Sequence, residues 1–136
     1  MDRRNITESS EHDQLVLMMA QHFKQLGYSE IKADIPGWTR PENIFWTSDP
    51  NKTYCPDLTC FDTNGVFIIL EAETCSTFSD MHTKAQFEIF RAHANNKKGR
   101  FEVVVPKTCA GAEGRGLISR QVVVWGIKLD SVWTPS

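Results

Sequence analysis

The sequence predicts an α/β domain whose elements follow in the order helix, three strands, helix, strand, helix, strand. Apolar residues repeat at helical spacing near the start of the chain, and an uncharged apolar run at 66–70 follows a turn sequence, as a buried strand would. A second helical pattern then precedes another strand-forming segment. With 136 residues, 40% of them hydrophobic and 24% charged, the chain can form a single domain spanning 1–136 around one core.

The first helix is predicted from Ser10, a favourable N-cap, to Gly27 at the C′ position. Residues 31–35 predict a short strand that ends at Pro36, and residues 38–53 predict a loop or an irregular hairpin. Aromatic side chains in and beside this segment would either stack on nucleic-acid bases or pack over the edge of the sheet. They are Trp38, Phe45, Trp46 and Tyr54.

The turn Thr63-Asn64-Gly65 decides which side chains share a face of the next two strands. A three-residue loop with Gly65 in the left-handed region places Asp57 opposite Glu71, with Glu73 one step further along the same face. Opposed side chains lie about 5 Å apart, where like charges repel, so a cation is expected between them. A two-residue turn would instead shift the register by one and send Asp57 to the other face.

The remainder of the chain predicts a helix, a strand, a short helix and a last strand. Residues 76–80 offer several N-caps for a helix of about fifteen residues. A strand is predicted at 101–105, a short helix at 117–120 and a last strand at 121–125. The glycines between 111 and 116 lack the Gly-Lys-Ser/Thr sequence of a phosphate-binding loop, so nucleotide binding is not predicted.

The start of the chain lacks the apolar segment of a signal peptide, and no apolar run reaches membrane-spanning length. A cytoplasmic protein without a membrane partner is therefore expected. Its four cysteines lack zinc-site spacing and are expected to stay reduced. Cys60 and Cys75 are predicted to be small buried packing residues.

Charge is distributed unevenly along the chain, although the net charge is only −2. Residues 1–83 hold 6 Lys and Arg against 13 Asp and Glu, whereas residues 84–128 hold 9 against 3. An acidic site beside a basic surface suits a polyanion that approaches through metal ions. The candidate nucleic-acid contacts are Lys97, Lys98, Arg100, Arg115 and Arg120, and the alternative for the first three is a solvated loop.

The order of elements, with Pro56-Asp57 on one strand and Glu71-Ala72-Glu73 on the next, resembles the PD-(D/E)xK nuclease superfamily, which has the restriction-endonuclease-like fold. The resemblance covers nearly the whole chain. It implies an αβββαβ core with a mixed central sheet flanked by helices, and a further short helix and strand. It also implies that Glu11, Asp57 and Glu71 bind Mg²⁺ or Mn²⁺.

Glu73 stands where the superfamily usually has a lysine that activates the attacking water. A glutamate there would bind a second metal or act as the general base, or Lys84 would take over the role of the lysine. Gln86, followed by Phe90, resembles the Gln-x-x-x-Tyr element of some of these nucleases, and its alternative is a hydrogen-bonded core amide.

These observations together predict a metal-dependent nuclease that hydrolyses phosphodiester bonds in nucleic acid, with DNA preferred as the substrate. The alternatives are a catalytically inactive nuclease-fold subunit that binds nucleic acid or regulates, and a small assembly protein whose acids serve only stability. A chain of this length has little room for a recognition domain, so a homodimer or a larger complex would supply that surface.

Overall fold

The computed structural model describes residues 6–136, with side chains described from residue 9 onward. The helices are α1 (Ile6–Gln25), α2 (Met81–Asn96) and α3 (Gly114–Trp125), with a short 3₁₀ helix at Cys75–Thr77. The strands are β1 (Ser29–Ala33), β2 (Ile44–Trp46), β3 (Asp49–Tyr54), β4 (Leu58–Phe61), β5 (Phe67–Ala72), β6 (Arg100–Val104), β7 (Thr108–Cys109), β8 (Ala112–Glu113) and β9 (Ser131–Trp133).

Five strands form the central sheet in the order β1-β4-β5-β6-β9. Strands β1, β4 and β5 are antiparallel neighbours, whereas β6 runs parallel to both β5 and β9. The elements α1, β1, β4, β5, α2 and β6 follow the predicted αβββαβ order, and α3 and β9 are added to it. The predicted fold class, a mixed central sheet flanked by helices, is therefore confirmed.

The helices cover both faces of this sheet because side chains alternate along each strand. Helix α1 packs its apolar stripe, which includes Val16 and Phe23, against the face that carries Leu70. Helices α2 and α3 pack on the opposite face, where Phe87 contacts Phe101 edge to face. The sheet is thus buried on both sides, so its functional groups are expected at the ends of its strands.

The predicted three-residue loop between β4 and β5 is confirmed. Thr59 pairs with Ile69 in the observed register, and Gly65 is left-handed with a φ of 78°. The N–H of Asp62 donates to the Val66 carbonyl oxygen at 2.9 Å. The carboxylate of Asp62 also accepts the N–H groups of Asn64 and Val66, at 2.8 and 2.9 Å, which stabilises this turn.

Strands β2 and β3 form the irregular hairpin predicted before the first site residue, with a break in register between Phe45 and Trp46. Tyr54, at its base, packs against Phe90 of α2, and Trp38 packs on the α1 side of the sheet. Phe45 and Trp46 are instead 51% and 37% exposed. Two of the four candidate stacking residues therefore remain accessible.

The prediction of a last strand at 121–125 is wrong, because these residues complete α3. Their β-branched run favours a strand, but Ile118 and Val122 are spaced by four residues and both are buried, as in a helix. Gly126 ends the helix in the left-handed conformation, with a φ of 71°. The last strand is β9, and β1 begins two residues earlier than predicted.

The expectation that the cysteines stay reduced is also wrong for one pair, since Cys75 and Cys109 form a disulfide. A separation of 34 residues hides this pair in the sequence, and the fold joins it because the chain turns back after β6 into β7. Cys60 is a buried core residue, as predicted. No helix within residues 6–136 is long and apolar enough to cross a membrane.

Candidate metal centre

Asp57 and Glu71 face each other across the open end of the β4–β5 pair. The N–H of Asp57 donates to Glu71 Oε2 at 2.7 Å, and the N–H of Ala72 donates to Asp57 Oδ2 at 2.8 Å. Each carboxylate is thus held by the backbone of the opposite strand. This exchange depends on the register set by the three-residue loop, because a shift of one residue would place the two side chains on opposite faces.

Glu73 joins these two residues just beyond the end of β5. One carboxylate oxygen from each of Asp57, Glu71 and Glu73 lies within 4.8 Å of the others. Glu71 and Glu73 are 2% and 1% exposed, so their charges are almost fully removed from water. The structure therefore brings together the three carboxylates that the sequence predicts on one face.

Burial and mutual repulsion divide the charge unequally within this group. Burial raises the pKa of Glu71 well above its ordinary value, and the nearby charges of Asp57 and Glu73 raise it further. Burial also opposes ionisation of Asp57, but His12 and the N–H of Ala72 overcome it, so the pKa of Asp57 is lowered. Ionisation is thus favoured at Asp57 and opposed at Glu71.

His12 is the main residue at the site that the sequence did not predict, because a lone histidine is more often structural. Its Nε2 lies 3.0 Å from Asp57 Oδ2 and its Nδ1 lies 3.1 Å from Asp13 Oδ1, and the side chain is buried. The signal was its spacing, since it stands four residues before the fully buried Val16. Its neighbour Glu11, which was predicted to bind metal, is exposed and lies outside the carboxylate group.

Two threonine hydroxyls orient Glu73. Thr77 in the 3₁₀ helix donates to Glu73 Oε1 at 2.6 Å, and Thr83 in the first turn of α2 donates to the same atom at 3.1 Å. Thr83 is fully buried, whereas its neighbours Lys84 and Gln86 are half-buried. The hydroxyl of Thr83 is therefore a group that α2 places against Glu73, and the role of Lys84 stays a prediction.

The predicted basic contacts at 97–100 lie at the wrong end of the sheet for this site. Arg100, at the start of β6, pairs with Ile68, whereas Val104, at its end, pairs with Ala72 beside the carboxylates. The four residue steps between these pairs, at about 3.3 Å each, separate the basic segment from the carboxylates by about 13 Å of strand. Lys97 is the C-cap residue of α2, where a cation stabilises the helix dipole. This arrangement favours the alternative of a solvated loop for Lys97 and Lys98, which are exposed.

Arg100 has a structural role that the sequence did not reveal. Its Nε donates to Glu102 Oε2 at 2.8 Å, and its Nη2 donates to Ser131 Oγ at 2.8 Å. Glu102 is buried and also accepts the indole N–H of Trp133 at 2.7 Å. Arg100 thus neutralises a buried carboxylate beside β9, and its contact with nucleic acid stays a prediction.

Three other cations lie near the carboxylate end of the sheet. Lys107 is exposed just beyond the end of β6, and Arg115 is exposed in the first turn of α3. Lys84 is half-buried in the first turn of α2. Arg120, also exposed, lies further along α3. Lys107 was not predicted, although its position directly after the strand-ending Pro106 was a usable signal.

Comparison with known proteins gives only distant similarity. No protein-family model and no curated protein matches the chain. A crystal structure of a repair endonuclease from Pyrococcus abyssi matches with a TM-score of 0.44 and 10% identity, over 100% of this chain and 49% of that one. A structure of an EndoMS–dsDNA complex matches with a TM-score of 0.40 and 14% identity, over 100% and 50%. The chain therefore spans about half the length of both.

The donor atoms of the site fit a hard divalent cation. All three candidate ligands are carboxylates, which suit Mg²⁺ and Mn²⁺ better than softer metals. A cation there would also provide the positive charge that a buried cluster of acids requires, since an unpaired buried charge is costly. The residues present are thus suited to hold such an ion at the end of β5.

Proposed function

We propose that the protein is a metal-dependent nuclease of the PD-(D/E)xK superfamily that hydrolyses phosphodiester bonds in DNA. The observation that carries the proposal is the convergence of Asp57, Glu71 and Glu73, with one oxygen of each within 4.8 Å of the others. Clustered carboxylate oxygens are the ligands that Mg²⁺ takes beside substrate phosphates. The superfamily resemblance rests on the same residues, because Pro56-Asp57 and Glu71-Ala72-Glu73 are the segments that carry it.

Each residue of the group has a distinct role in this proposal. Asp57 and Glu71 hold Mg²⁺ or Mn²⁺, and His12 supports Asp57 from the buried side of the site. The bound ion would lower the pKa of a water molecule and stabilise charge on the phosphate. Glu73, oriented by Thr77 and Thr83, is either a further ligand or the general base that accepts the proton of the attacking water at its carboxylate.

Exposed aromatic and basic side chains support nucleic acid as the substrate. Phe45 and Trp46 are exposed on the β2–β3 hairpin, which ends three residues before Asp57 in the sequence, and their rings can stack on bases. Lys84, Lys107 and Arg115 lie near the same end of the sheet and can contact phosphates. We assign the phosphate contacts to these three cations rather than to the loop at 97–100.

Cleavage of plasmid, branched and single-stranded DNA with and without Mg²⁺ or Mn²⁺ tests the proposal. Replacing even a partner of a metal ligand costs about 10- to 100-fold in activity, so we expect Glu71→Gln to lose more than about 100-fold. Glu88→Gln is the matched control, since Glu88 is exposed on α2 and should retain wild-type activity. A Glu71→Gln protein that cleaves as fast as the wild type would rule out the assignment.

A catalytically inactive subunit that binds nucleic acid is the second candidate. The observation that favours it is Glu73, which occupies the position of the usual lysine and places a third acid in the site. Calorimetric titration separates the two functions. Tight binding of DNA without uptake of Mg²⁺ favours the inactive subunit, whereas uptake of Mg²⁺ that Glu71→Gln abolishes favours the nuclease.

Location and assembly of the protein are also proposed. We place the protein in the cytoplasm and expect a homodimer or a larger complex to complete the recognition surface. In a reducing cytoplasm the Cys75–Cys109 disulfide would be open to reduction to two thiols. Trapping of free thiols with an alkylating reagent in intact cells measures this state, and light scattering measures the oligomeric state.

A further inference from the structure

The disulfide lies next to the proposed metal centre. Cys75 follows Glu73 by two residues, and Cys109 lies in β7, just beyond the end of β6. The N–H of Glu73 donates to the Val104 carbonyl oxygen at 3.0 Å, so the ends of β5 and β6 are already joined at this level. The disulfide extends this connection beyond the strands, into the segment that follows Glu73.

That segment carries one of the groups that orient Glu73. Cys75 begins the 3₁₀ helix that ends at Thr77, whose hydroxyl donates to Glu73 Oε1 and lies 3.0 Å from the Thr74 carbonyl oxygen. The N–H of Thr77 also donates to that carbonyl at 3.1 Å. A displacement of Cys75 would therefore move Thr77 and, through it, the carboxylate of Glu73.

A reductant can reach the disulfide from the Cys75 side. Cys75 is exposed, whereas Cys109 is 9% exposed and belongs to the core. Cys75 also lines a groove of about 500 Å³, together with Leu15 of α1 and Pro106 and Lys107 beyond β6. The groove leaves room for a small dithiol beside Cys75.

We propose that the Cys75–Cys109 disulfide holds Glu73 in its metal-binding orientation and that reduction by a dithiol weakens the binding of divalent cations. This inference rests on the proposed function, because it concerns the same site. One thiolate of the dithiol attacks Cys75 Sγ, and the bond to Cys109 breaks, which releases Cys109 as a thiolate that takes up a proton. The second thiol then displaces Cys75 as a thiol, so the protein gains two electrons and two protons and the dithiol becomes a disulfide.

Calorimetric titration with Mg²⁺ tests the coupling in the wild-type protein. The oxidised protein is compared with protein reduced by dithiothreitol, from which the reagent has been removed without oxygen. Because reduction would disturb a hydrogen bond to a charged ligand, we expect Kd to rise about tenfold on reduction and to recover on reoxidation. Equal affinities would overturn the coupling and leave the metal site standing. No Mg²⁺ uptake by the oxidised protein would overturn the site itself and the coupling with it.

Variants identify the route of the effect. The double variant Cys75→Ser with Cys109→Ser should bind Mg²⁺ like the reduced wild type and should not respond to dithiothreitol. Cys60→Ala, which alters a buried free cysteine, should respond like the wild type. Thr77→Val should weaken binding in the oxidised protein and reduce the redox difference. A full redox difference in Thr77→Val would show that Thr77 does not transmit the effect and would overturn the proposed route.

Discussion

At the scale of single residues, the three carboxylates of the site are tolerated because each one is stabilised by different neighbouring groups. Asp57 is compensated by His12 and by the N–H of Ala72, which together keep its pKa low. Glu71 accepts the N–H of Asp57 at 2.7 Å, and burial raises its pKa. Glu73 is held by two hydroxyl donors. A divalent cation bound between the three residues would stabilise their negative charges together.

Asp130 gives a test of the electrostatics away from this site. It accepts Arg91 Nη1 at 2.9 Å and the N–H of Phe101 at 2.8 Å, which joins α2 to β6. Burial opposes its ionisation, but these donors lower its pKa below the ordinary 3.8. Because the lowered pKa favours the folded state only when Asp130 is ionised, its contribution is full above about pH 4 and is lost as the pH falls through the folded pKa.

We therefore expect Asp130→Asn to lower the free energy of unfolding by about 1 kcal/mol at neutral pH, with the difference from wild type shrinking below pH 3.8. Urea denaturation at a series of pH values measures it. The control is Asp34→Asn, which alters an exposed ion pair with Arg40 at 3.6 Å and should change stability by less than about 0.5 kcal/mol. A difference that grows on acidification would contradict the assignment.

The residues of the candidate site were predictable to different degrees. Asp57, Glu71 and Glu73 follow from the alternation of side chains along two strands joined by a loop of definite length. It is harder to predict whether Glu11 or His12 faces the site. Both lie near the apolar stripe of α1, and adjacent residues of a helix differ only in the direction in which their side chains point. Side-chain geometry in the folded helix places His12 against Asp57.

At the scale of elements, two glycines near the start of α3 differ in how closely the helix approaches the rest of the protein. A Cβ on Gly114, at the start of the helix, would clash with the Pro106 carbonyl oxygen, whereas a Cβ on Gly116 would meet only Arg120 Nη1, at 3.6 Å. We expect Gly114→Ala to destabilise the protein by about 2 kcal/mol or more. Gly116→Ala should stabilise it by about 0.5 kcal/mol, since alanine favours a helix.

Thermal and urea denaturation of both variants measure the contrast. Equal effects of the two substitutions would contradict the close contact between α3 and the end of β6. The comparison is internal, because the same change is made two residues apart in one helix.

The elements that were predicted correctly have strong local signals, and the exceptions have a physical cause. The stripe of α1 and the turn at Gly65 each determine their own conformation. Val122, Val123 and Val124 favour a strand locally, but tertiary packing of Val122 with the core makes the segment helical. Val123 and Val124 are 78% and 79% exposed, so the apolar run does not mark a buried strand.

At the scale of the whole molecule, the two ends of the sheet differ in electrostatic character. Helices α2 and α3 both begin near the carboxylate end, where the positive ends of their dipoles favour anions. Lys97 and Lys98 lie at the other end, at the C-terminus of α2, and Lys128 follows α3. A polyanion bound at the carboxylates through cations would therefore contact the helix N-termini at that end, whereas Lys97, Lys98 and Lys128 lie away from it.

This difference predicts a directional effect of charge removal on DNA binding. Replacing Lys84, Lys107 and Arg115 together by alanine should weaken binding and lower the slope of log K against log salt by about 0.9 for each phosphate that is no longer neutralised. Replacing Lys97, Lys98 and Lys128 removes the same charge from the opposite end and should leave the slope nearly unchanged. Salt titrations of duplex DNA binding to the Glu71→Gln protein, in which cleavage is not expected, measure both slopes. Equal weakening in the two triple variants would mean that net charge, rather than the carboxylate end of the sheet, governs the encounter with DNA.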